Sequence, residues 1–248
     1  MGGSEPPPAP PLGTGRAPAP DDLPPVAAPP RYGRYAGLLA ILILVLITIN
    51  TIVTRPNGAT GIGPGRPLAP FAVPLALGGL RGDADVATRA REGTAGRVPA
   101  CALRGPQILN VCQLYERGPV VLALFVDSGS CPAILGDLQS LQPSFPGVQF
   151  AAVAIKGNRG AVRRLIRTRG LTLPVGIDTD GVLVALYKVA SCPQVTLAYP
   201  GGVVQSRPLL ARPSYATLRA RVSELVAASR ARGWRPSPAP TARPAPPG

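Results

Sequence analysis

The chain has 248 residues, 33 of them proline, and a formal charge of +14 carried almost wholly by arginine, since Lys156 and Lys188 are the only lysines. It contains no histidine, which excludes Cys-His and Ser-His nucleophiles and every histidine-bearing metal site. The arginines are scattered rather than interleaved with aromatics, so the basic balance speaks for an anionic lipid or polymer surface and against nucleic acid.

The prolines gather at the two ends. Residues 1–34 (EPPPAPPLGTGRAPAPDDLPPVAAPP at their heart) and 231–248 have almost nothing to bury, and are expected to be disordered or polyproline II spacers. Between them and the regular part lies Ala36–Ile49, AGLLAILILVLITI, which holds no charge and no proline. Extended to Tyr35 and Val53 it reaches about 19 residues, or roughly 28 Å as a helix, the thickness of a bilayer core. A transmembrane helix is expected over 35–54, with Tyr32 and Tyr35 at one interface. The long proline-rich lead and the lack of a small-residue cleavage site argue for an uncleaved anchor over a signal peptide. Arg31 and Arg34 precede the run and Arg55 and Arg66 follow it, so charge barely orients it. The cysteines place the domain outside the cytoplasm and the N-terminus within.

A linker is expected over 55–68, then a domain over 69–230. The Gly- and Arg-rich stretch 79–98 has no clear period and reads as loop, with no role assigned. Val120–Val126 is a continuous apolar run, as a strand buried on both faces requires. Cys131–Leu141 turns helical, with Ile134, Leu135, Leu138 and Leu141 on one face. Val148–Ile155 is a second buried strand. Asn158 caps a helix with an apolar stripe of Val162, Leu165 and Ile166, ending at Gly170; Arg163, Arg164, Arg167 and Arg169 form its solvated face. Leu173–Ile177 is extended, and the Asp178–Gly181 turn leads into a helix through Leu186 and Tyr187. Gln194–Tyr199 and Val203–Gln205 flank Pro200-Gly201-Gly202 as a hairpin. Ser214 caps the last helix, with Tyr215, Leu218, Val222 and Leu225. The order predicts an α/β domain: a mixed sheet covered by helices on both faces, parallel first, with an antiparallel edge.

These segments resemble the thioredoxin superfamily, most closely its membrane-anchored TlpA-like branch. The resemblance covers roughly Pro70 to Arg230 and rests on GPVVLALFV, LPVGIDTDG, YKVASCPQVTLAYPGG and the order of elements. It implies a thioredoxin-like three-layer fold, thiol–disulfide exchange on envelope proteins without cofactor or metal, and a cis-proline at Pro193 that positions the substrate backbone. The family's W-C-x-x-C should fall in Asp127–Ile134, yet only Cys131 is present and no tryptophan precedes it. Counted from the strand, Cys131 falls between the two family positions; counted back from Leu138 and Gln139, it is the second. Exchange within one motif is therefore excluded.

A thiolate at Cys131 would sit at a helix N-terminus, with Pro132 at the first helical position, an arrangement that lowers a thiol pKa. If Pro193 is the cis-proline, the preceding Cys192 faces Cys131 and could rebuild the dithiol, Cys131 attacking and Cys192 resolving. The other arrangement is two unconnected buried thiols. Cys101 and Cys112 bracket a short loop turning at Gly105-Pro106, and a structural disulfide is expected to close it. Four cysteines without a C-x-x-C knuckle do not make a zinc site. Two other functions compete: a catalytically silent thioredoxin fold used for binding, and a peroxiredoxin-like reductase suggested by Ser128-Gly129-Ser130-Cys131-Pro132. The second lacks the expected arginine, a position occupied here by Pro193.

Overall fold

The computed structural model describes residues 33–54 and 60–236, with side chains of the first helix described over 35–48. The chain divides into two compact units at Arg55 and Pro56. The first unit holds α1 (Gly33–Thr54), a helix of 22 residues in which large apolar side chains from Tyr35 to Ile47 are exposed all round. Among the described residues no helix is long and apolar enough to cross a membrane; the described side chains end at Thr48, short of the apolar run in the sequence. The disorder expected at the chain ends falls on residues 1–32 and 237–248, outside the described residues.

The second unit is built on a five-stranded sheet in the order β5-β4-β3-β6-β7. Its strands are β3 (Val120–Phe125), β4 (Gln149–Ile155), β5 (Val175–Asp178), β6 (Gln194–Ala198) and β7 (Leu209–Leu210). β3, β4 and β5 pair in parallel, while β6 and β7 pair antiparallel. All six residues of β3 are buried, because the central strand has a core on each side. Val121, Ala123 and Phe125 face α3 (Ile134–Leu141), α4 (Arg159–Thr168) and α6 (Tyr215–Ala231). Val120, Leu122 and Leu124 face α2 (Val111–Arg117) and α5 (Val182–Leu186). This is the mixed sheet with helices on both faces that the sequence predicts.

Several boundaries differ from expectation. Residues 60–68, expected as linker, are docked on the sheet: Gly65 and Leu68 donate to the carbonyls of Val204 and Gly202 at 2.8 and 2.7 Å, and Leu68 is buried. Residues 231–236, expected as the start of the tail, include Trp234, which packs on the α6 side of the core. The turn at Pro200-Gly201-Gly202 forms, both glycines at positive φ, but the return is irregular. Val203 and Val204 make only isolated bridges, and the edge strand is Leu209–Leu210. A small antiparallel pair, β1 (Ala72–Pro74) and β2 (Ile108–Asn110), joins the far edge through a bridge between Leu75 and Gly176. Three-residue strands are too short to show a period.

The stretch 79–98 is looped as expected but tied down. Ala72 and Asp85 exchange backbone hydrogen bonds, and Val86 donates to Ala95 at 2.9 Å. The arginines of α4 are not a uniformly solvated face. Arg159 and Arg163 reach back to the carbonyls of Leu75, Ala76 and Gly78, fastening the segment just before that stretch to the helix.

Candidate functional site

The site forms where β3 ends. Antiparallel pairing sets Leu124 opposite Gln194, so the chain leaving β3 meets the chain entering β6. The first carries Val126 and the exposed loop Ser128-Gly129-Ser130, the second Cys192 and Pro193. The Cys192-Pro193 peptide is cis, and Pro193 is buried. After the loop the chain does not enter an α-helix at once. Cys131–Ala133 is a 3-10 turn with Pro132 in its first positions, and the α-helix begins at Ile134.

Cys131 and Cys192 are joined by a disulfide, their Cα atoms 5.6 Å apart across 61 residues of chain. The two sulfurs differ in environment. Cys131 is 6% exposed and belongs to the core above β3, whereas Cys192 is exposed. Both accept from one donor: the Val126 N–H lies 3.1 Å from Cys192 Sγ and 3.4 Å from Cys131 Sγ.

The surrounding loops are braced by polar contacts that no sequence motif announces. Arg169, just past α4, donates to the Pro132 carbonyl at 2.9 Å. Gln194 is fully buried; it donates to the Tyr187 carbonyl at 3.1 Å and accepts from Ala190 N–H at 3.2 Å, pinning the segment that presents Cys192. Ser191 Oγ accepts from Ala211 N–H at 2.7 Å. Asp127 accepts from Asn158 N–H at 3.1 Å. Of these, only Gln194 leaves a trace in the sequence, as a polar residue opening an apolar strand.

The second disulfide joins Cys101 and Cys112, with Cα atoms 5.3 Å apart. The loop between them is not free-standing: Cys112 lies in the first turn of α2, which Asn110 caps. Among the described residues no cysteine is free and no cluster of cysteine, aspartate and glutamate could hold a metal ion.

No protein-family model matches the chain, and no curated protein sequence matches it. Solved structures do. A putative protein disulfide isomerase from Bacteroides thetaiotaomicron is 13% identical with a TM-score of 0.50, covering 70% of this chain and 98% of that one. A putative thiol:disulfide interchange protein DsbE from Chlorobium tepidum is 16% identical with a TM-score of 0.49, covering 68% and 98%. A secreted Mycobacterium tuberculosis disulfide oxidoreductase homologous to E. coli DsbE is 24% identical with a TM-score of 0.43, covering 48% and 90%. The domain has the thioredoxin-like fold.

Proposed function

We propose that the domain performs thiol–disulfide exchange on protein thiols or disulfides through the Cys131–Cys192 couple, held by a membrane anchor outside the cytoplasm. One observation carries this reading: a disulfide between an exposed and a buried sulfur, beside a buried cis-proline, at the end of the central strand. Two loops supply the dithiol that the single-cysteine motif cannot.

Exposure reverses the roles that the motif suggests. Exchange needs a nucleophile to approach a sulfur along the S–S axis, so the accessible sulfur is the one attacked. A client thiolate attacks Cys192 Sγ; the Cys131–Cys192 bond breaks, and Cys131 departs as a thiolate. A second client thiolate then attacks the client sulfur of the mixed disulfide, forming the client disulfide and releasing Cys192 as a thiolate. Two client thiols are oxidised and one protein disulfide is reduced; the reverse sequence reduces a client disulfide. A peroxide-reducing role would need Cys131 free and reachable, and it is bonded and buried.

The test is trapping with a disulfide-bonded protein substrate. Cys131→Ser leaves Cys192 exposed without a resolving partner, and is expected to accumulate a mixed disulfide. Cys192→Ser leaves only the buried Cys131, and is expected to trap at least tenfold less. Equal trapping by both variants, or none by either, would overturn the reading.

A further inference from the structure

We infer that the backbone N–H of Val126 is a catalytic group of this centre, an anion-stabilising donor that serves both sulfurs in turn. The inference rests on the exchange reading for its place in turnover, and on geometry for everything else. Val126 follows the last residue of β3, so its nitrogen sits where the strand ladder has ended. It lies 3.1 Å from Cys192 Sγ and 3.4 Å from Cys131 Sγ and donates to both. A disulfide sulfur is a weak acceptor, and a thiolate is a strong one. The donor is therefore aimed at charge that develops only when the bond opens, the arrangement that stabilises a transition state more than a ground state.

The sharing matters because the charge moves. When a client thiolate bonds Cys192, the electron pair of the broken bond goes to Cys131, and the N–H turns to that sulfur. When the mixed disulfide is resolved, Cys192 carries the charge and the same N–H is within reach of it. No side chain takes this part in the structure: neither cysteine has a side-chain hydrogen-bond partner among the described residues. The fixed strand end supplies the missing donor.

The experiment replaces the Val126 residue by its α-hydroxy acid, turning the N–H into an ester oxygen while keeping the side chain; Val126→Ala, which keeps the N–H, is the control. Thiol pKa values are read on the reduced protein without any client. The ester is expected to raise the lower thiol pKa by about one unit, a tenfold loss of thiolate below it, with the alanine variant unchanged. Unchanged pKa values in the ester protein would overturn the inference. A second readout needs no variant: the Val126 amide proton resonance should titrate with the thiol pKa in reduced wild-type protein and be flat in oxidised protein. A flat signal in both overturns the inference even if the ester protein does not fold. Failure of client trapping alone would instead remove the exchange reading and leave the donor assignment standing.

Discussion

Asn110 shows how much one side chain can hold beside the Cys101–Cys112 bond. It is 1% exposed, and its oxygen accepts from the N–H groups of Cys112 and Gln113 while its amide donates to the carbonyls of Ala100 and Leu103. That fills its side-chain capacity of two acceptor and two donor contacts. It caps α2 and closes the same segment that the Cys101–Cys112 bond closes. Asn110→Ala leaves two helix-end N–H groups and the half-buried Leu103 carbonyl without their side-chain partner, while the Ala100 carbonyl keeps the Leu103 N–H, and is expected to cost about 2–3 kcal/mol. Urea unfolding of oxidised protein checks this; a loss below about 1 kcal/mol would mean that the disulfide alone holds the segment. The sequence gives no hint of this role, because Asn-Val-Cys reads as loop until the fold buries it. The cysteine pairing beside it is legible, since a separation of 11 residues closes a loop with little backbone rearrangement.

At the scale of elements, continuous apolar runs made β3 and β4 readable, because a strand with helices on both faces has no solvent side. β1, β2 and β7 were not readable: two or three residues carry no period, and pairing partners far along the chain define them. α5 lies between these cases. Its sequence VLVAL is short, and its start is fixed by Asp178 at the end of β5, whose carboxylate accepts from the N–H groups of Gly181 and Leu183, each at 3.0 Å. Burial, and after it a hydrogen bond with Asp180, push the Asp178 carboxyl up to about 6, against the pull of those amides. Its folded pKa thus lies above the unfolded value, so Asp178 stabilises the fold fully at acid pH and loses that contribution as pH rises through about 6. The loss is about 2–3 kcal/mol between pH 4 and pH 7. Asp178→Asn removes the titration, so the stability difference between wild type and variant should shrink by that amount over this range. Parallel stability curves would show that Asp178 titrates near its ordinary value.

For the molecule as a whole, the proposed location joins two features the sequence places far apart: an uncharged apolar run in α1 and a domain whose described cysteines are all in disulfides. A helix apolar on every side has no face for water, and two closed disulfides suit an oxidising compartment. If both readings hold, the chain should stay with membranes through an alkaline wash, and a version beginning at residue 60 should be released. Orientation then follows from Cys192, the exposed sulfur of the redox pair. Intact cells treated with a membrane-impermeant reductant and then an impermeant maleimide should label Cys192 in wild type, and lose most of that label in Cys192→Ser. The buried Cys131 and Cys112 should contribute little while the domain stays folded. Labelling that appears only after lysis would put the domain in the cytoplasm. There the Cys131–Cys192 bond would face a reducing pool, and the couple would have to work as a reductant of its clients.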